Sequence, residues 1–135
     1  MMRHEDWLVR LRDYVTEAAR RPYQPGTHDC ILFAAGARAA MTGVDVMGPY
    51  KGRYSTLEEG MALARSLGHD APWLSIVADL KEIHPSEANV GDIAMLDEVE
   101  GIPAMGVVQG EAIYALHPRG IGLVPLLSAR RVWSV

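Results

Sequence analysis

Apolar residues recur at helical spacing near the start of the chain. Trp7, Leu8, Leu11, Tyr14, Val15, Ala18 and Ala19 fall on one face, with Arg10, Arg12, Asp13 and Glu17 between them. The pattern predicts an amphipathic helix over residues 4–20. Arg20 and Arg21 suit the negative end of its dipole, and Pro22 stops it. Residues 22–29 hold two prolines and a glycine and read as a loop. Over residues 29–42 the chain is apolar nearly all round, with Ile31, Leu32, Phe33, Ala34, Ala35 and Ala37. That predicts a central buried helix, with Gly43 at its C-terminal cap. Residues 44–54, with Gly48, Pro49 and Gly52, read as an exposed loop. Tyr50, Arg53 and Tyr54 in it are candidate interface anchors. Ser55-Thr56-Leu57-Glu58 matches a capping box and predicts a helix over 56–67 that ends at Gly68. Residues 73–80 fit a short helix or a strand, and the pattern leaves both open.

After Gly91 short apolar runs alternate with turns, at 92–96, 105–108, 112–116, 122–126 and 130–135. This is the rhythm of an antiparallel meander, with Gly110-Glu111 as a tight turn. Helices first and strands second predict an α+β domain, its helices packed on an antiparallel sheet of about five strands. Trp7 and Trp133 are expected in the core. With 135 residues, the chain reads as a single domain over 1–135, the helix of 1–21 included.

Charge and composition narrow the partners. Thirteen basic against seventeen acidic residues give a net charge of −4, which argues against a nucleic-acid partner held by overall positive charge. No apolar run reaches the ~20 residues of a membrane span, and charges begin at Arg3 where a signal peptide needs an apolar core. The expectation is a protein folded in the cytosol. Five histidines stand in no HxxxH pattern, so neither a metal nor a cofactor is expected. Gly106, Gly110, Gly120 and Gly122 suit hairpins and strand edges better than a phosphate loop.

One cysteine, Cys30, excludes an internal disulfide. It opens the buried helix, where the dipole and free backbone amides favour thiolate, the reactive form. The same amides suit an oxyanion. An inert buried thiol is the competing reading. Asp29 suits the helix N-cap.

Three stretches carry a resemblance. Gly26-Thr27-His28-Asp29-Cys30 leads into an alanine-rich helix. Gly91-Asp92-Ile93-Ala94-Met95-Leu96 follows, then Met105-Gly106-Val107-Val108-Gln109-Gly110. In order and spacing they resemble the NlpC-type cell-wall peptidases. Over residues 22–135, with a tyrosine-bearing loop and a final strand at Arg131-Val132-Trp133, the chain also resembles a small group encoded by phages and prophages. The resemblance implies a papain-like fold with Cys30 as nucleophile. It also implies a histidine just before the Met105-Gly106-Val107 element, where this chain has Ala104. The family's third catalytic residue maps, with a one-residue slip, to His117. A base must then come from His28, from His117, or from a partner.

The implied function is a tail-tip structural or assembly protein on a degenerate peptidase scaffold. Its partners would be tail and baseplate proteins, with peptidoglycan as a further one. It would reside in the host bacterial cytoplasm during assembly and in the virion tail afterwards. The alternative is an active cysteine peptidase or amidase that cuts peptidoglycan stem peptides, with His117 or His28 as base. A cysteine-dependent acyl transferase shares the same logic.

Overall fold

The computed structural model describes residues 3–99 and 102–135. Among the described residues four α-helices precede six strands. The helices are α1 (Trp7–Ala18), α2 (Cys30–Thr42), α3 (Leu57–Ser66) and α4 (Pro72–Val77). The strands are β1 (Lys81–Ile83), β2 (Ile93–Val99), β3 (Ile102–Val108), β4 (Ala112–His117), β5 (Gly120–Pro125) and β6 (Arg131–Ser134). They form one sheet in the order β1-β6-β2-β3-β4-β5, with every neighbouring pair antiparallel. The α+β class expected from the pattern is the class found.

Two features depart from a five-stranded meander. β1 is an additional strand, hidden in the sequence because two of its three residues, Lys81 and Glu82, are charged and exposed. β6 does not extend the meander past β5. It returns to lie between β1 and β2, with Trp133 opposite both Glu82 and Ile93. The reason is burial on both faces: Val132 belongs to the apolar cluster on one side of the sheet and Trp133 to the cluster on the other. A strand buried on both sides needs an interior place in the sheet.

α2 lies in the larger of these clusters, among Ile93, Met105 and Val107 of the sheet. It ends as expected, with Gly43 in the left-handed conformation at φ 79°. Its one charged residue, Arg38, is fully buried. The guanidinium donates to both carboxylate oxygens of Asp79 at 2.8 and 2.6 Å and to the Ile76 carbonyl at 2.9 Å. That fork ties α2 to the end of α4. α4 settles the ambiguity over 73–80 as a helix, entered through Pro72 in its first turn, where a missing N–H costs nothing. α3 begins one residue later than the capping box predicts. Thr56, not Ser55, is the cap, and its hydroxyl accepts from the Glu59 N–H at 3.1 Å.

The loop over 44–54 is not the exposed surface that its composition suggests. Tyr50 and Tyr54 retain only 1% and 5% of their surface, while Arg53 stays exposed. Trp133 is a core residue as expected, and Trp7 is half-buried under the Arg3 guanidinium, 4.2 Å from its ring centroid. Asp92, after Gly91, draws together segments remote along the chain. Buried Asp92 accepts from the backbone N–H groups of Asn89 and Val135 and from Arg3. A side chain on Gly91 would meet the Met41 sulfur at 2.7 Å.

The Arg38–Asp79 fork gives the first expected outcome. Asp79→Ala leaves a buried guanidinium with one carbonyl for a partner. The lost carboxylate is itself exposed, so the cost falls below that of a fully buried pair, at about 2 kcal/mol. A lower urea midpoint with an unchanged slope is the measurement that checks it.

Candidate active site

The site is organised by a carboxylate rather than by the thiol beside it. Asp29 is fully buried at the N-cap of α2. Oδ1 accepts from the backbone N–H groups of Ile31 and Leu32, at 3.1 and 2.9 Å. Oδ2 accepts from the Gly26 N–H at 2.9 Å and from the Tyr54 hydroxyl at 2.5 Å. Capping by an aspartate is the expectation met; the hold on Tyr54, 25 residues away, is not visible along the chain. Gly26 permits it. Its φ is +85°, and a Cβ there would sit 1.8 Å from the Tyr54 carbonyl oxygen. Burial, with the charge and hydrogen bond of Asp29 added, pushes the Tyr54 phenol far above its ordinary pKa, so it serves as a donor throughout the physiological range.

Cys30 follows as the first residue of α2. Its sulfur is approached by three backbone N–H groups, those of Met105 in β3, Cys30 itself and Ile31. These favour thiolate, as the helix position predicts. Burial outweighs them and, with the charge of Asp29, pushes the thiol up to about 11. Where the helix start alone would lower the thiol's pKa, burial raises it. Desolvation in the packed floor of the site is stronger than the pull of the first helical turn.

The thiol borders a cavity of about 570 Å3. Tyr23 and Pro25 of the loop before α2 form one wall and residues 55–58 at the start of α3 form another. Ala104 of β3 and residues 116–118 at the end of β4 complete it. β3 and β4 pair Gly106 with Ala115 and Val107 with Tyr114. The structure thus brings Cys30, Ala104 and the exposed His117 to one cavity.

It takes His28 elsewhere. That imidazole is buried, and Nε2 donates to the Ala18 carbonyl at 2.9 Å, closing the C-terminal end of α1. It lines a separate cleft of about 180 Å3 against α1 and α2. Burial lowers its pKa, so it is neutral at pH 7. Among the described residues no His, Cys, Asp and Glu side chains form a group of three or more able to hold a metal, and no helix is long and apolar enough to cross a membrane.

A helix that opens on cysteine, packed on an antiparallel sheet, defines an α+β fold similar to that of the NlpC/p60 domains. Among solved structures the fold is similar to the NlpC/p60 domain of the peptidoglycan hydrolase SagA, with a TM-score of 0.62 over 94% of this chain and 97% of that one. Sequence identity is 14%, so the likeness is one of fold. The chain belongs to the family described as Domain of unknown function (DUF6950), whose model matches residues 2–135. No curated protein matches its sequence.

Two measurements test this description. Alkylation of Cys30 by iodoacetamide follows the thiolate. In the native chain it rises with pH to a midpoint near 11, and in urea it returns to about 9. Because the folded pKa is raised, native reactivity at neutral pH is lower than unfolded, by about a hundredfold. Tyr54→Phe removes one donor from a buried carboxylate. It lowers stability by about 1.5–3 kcal/mol in urea unfolding.

Proposed function

We propose that the protein is a structural or assembly component of a phage or prophage tail tip, on an NlpC-like scaffold that binds without cleaving. What carries the reading is the make-up of the Cys30 cavity. Thiol-dependent hydrolysis needs a base to take the thiol proton and return it to the leaving amine. At the position where the resemblance implies that base, the chain has the methyl group of Ala104, and the thiol is held protonated by burial. A cavity of about 570 Å3 with apolar walls is still suited to hold a ligand. The tail setting rests on the order of motifs from residue 22 to 135. It implies tail and baseplate partners, with a passage from host cytoplasm to virion tail.

A second reading has one observation in its favour. His117 lines the same cavity as Cys30. In a working cysteine peptidase or amidase of peptidoglycan stem peptides, His117 would be the base and Cys30 the nucleophile.

The test has two arms. Purified protein is incubated with peptidoglycan and with stem peptides, and new amino groups are measured. No release above the Cys30→Ala variant is expected. Release abolished by both Cys30→Ala and His117→Ala would establish the second reading. In the other arm, tagged protein is produced during phage induction and tails are purified. Tag in the tail or in its assembly intermediates is expected. Normal tails formed without the protein, and without tag, would overturn the assembly role.

A further inference from the structure

The sheet has two edges, and they are built differently. β1 is three residues long and exposes Lys81 and Glu82. Short length and charge are the usual protection of an open edge. β5 is six residues long, Gly120–Pro125, and carries no charge. Among the described residues it has no neighbouring strand beyond β4. No hydrogen bond from the described residues reaches its outer side; the Leu126 N–H beyond its end turns back to Glu111. Leu123 is 60% exposed and Leu127, just past the strand, is 98% exposed. What such an edge lacks is another strand.

Gly122 says which strand. Glycine weakens a strand interior, and within sheets it marks a bulge, a bend, or a place where a ligand or another backbone comes close. Gly120 has a reason inside the chain, since its φ is +120° at the turn from β4. Gly122 has none. Its backbone is not left-handed, and an added Cβ would meet only His117 Cδ2, at an ordinary 3.8 Å. The fold has room for a side chain there and the sequence supplies none.

The faces of β5 are compatible with a two-fold register centred on a residue, and Gly122 is the residue that leaves the axis free of side chains. Ile121 and Leu123 lie opposite Leu116 and Tyr114, on the side of the helices. Gly122 and Val124 lie opposite Ala115 and Ile113, on the other side. Residues directly opposite in an antiparallel pair share a face. A two-fold axis through Gly122 satisfies this throughout. Gly122 then meets Gly122 of a second copy, Ile121 meets Leu123, and Gly120 meets Val124. Each exposed Leu123 gains a cover, twice over by symmetry. Glycine is placed where a residue must face itself. Arg119 stands opposite Pro125, so the two guanidinium-bearing positions are separated by roughly 20 Å of strand, beyond the ~8 Å screening length of physiological salt.

We propose that β5 pairs antiparallel with β5 of a second copy of this chain, in the register centred on Gly122, joining two six-stranded sheets into one. The occupant is a second copy because the edge is self-complementary: uncharged, apolar-to-apolar across the axis, and side-chain-free at the axis. An interface of one strand edge is at the small end of the size range, so the dimer is weak and concentration-dependent. The proposal does not depend on what the Cys30 cavity binds.

The experiment uses the full chain. Sedimentation equilibrium from about 10 μM to about 1 mM is expected to show reversible self-association. Leu123→Lys is expected to abolish it with an unchanged circular dichroism spectrum. Because Cys30 is the only cysteine, Cys30→Ser gives a thiol-free background. In that background Gly122→Cys is expected to form a disulfide dimer with oxidised glutathione. Opposed Cα atoms in such a pair lie about 4.5–5.5 Å apart, within disulfide range. Val124→Cys, on the same face, is expected to remain monomeric, because the two copies of that position are offset by four residues. A monomer at the highest concentration, association unaffected by Leu123→Lys, or equal cross-linking of the two cysteine variants would overturn the proposal. A foreign strand as the occupant of this edge would give the first of these results.

Discussion

The buried carboxylate of Asp29 is the constraint on which the rest of the site depends. An aspartate removed from water is costly unless its lone pairs are filled. Here four donors fill them: three backbone N–H groups, from Gly26, Ile31 and Leu32, and the Tyr54 hydroxyl. Each bond does structural work in a different segment. Gly26 closes the loop before α2, and its own carbonyl accepts from the Gly52 N–H at 2.7 Å. Ile31 and Leu32 open the helix. Tyr54 pulls the end of the 44–54 loop inward, just before residues 55–58, which form one wall of the cavity. The position of Cys30 follows from these bonds, since it is the next residue along the chain.

The same packing decides what the thiol is able to do. Backbone N–H groups of Met105, Cys30 and Ile31 pull the thiol's pKa down, as expected around a nucleophile. Yet the sulfur is enclosed, and its neighbour Asp29 is negative, so the neutral form wins. A peptidase answers this problem with an adjacent imidazole that makes an ion pair with the sulfur. In this chain Ala104, which carries no base, and the exposed His117 line the same cavity as the thiol. The helix start and the cavity beside it are thus in place, with an alanine rather than an imidazole on the β3 side.

Much of this was legible in the sequence. The periodicities of α1 and α2, the glycine cap at Gly43, the Asp29 cap and the helix-then-strand order all rest on local rules, each acting within a few residues. The short motifs around Cys30, Gly91-Asp92 and Gly106 were likewise readable, and Ala104 could be seen as a departure from them. Where the reading failed, the deciding partner was distant. Tyr50 and Tyr54 looked like exposed loop residues because their burial is set by contacts far along the chain. β1 was missed because its pairing with β6 joins residues some fifty apart, and Arg38 gave no hint that its counter-ion would be Asp79.

The sequence by itself therefore determined the elements other than β1 and α4, their helix-then-strand order and the chemical inventory: one thiol at a helix start, a capping aspartate, and an alanine where the resemblance implies a histidine. These are short-range properties of the chain. Only the tertiary structure decided that β6 returns to the middle of the sheet and that His28 closes α1 instead of facing Cys30. It also decided that burial raises the thiol's pKa and that β5 remains an open, uncharged edge among the described residues. Those outcomes depend on desolvation and on pairing between remote segments, and both come into being only when the chain has packed.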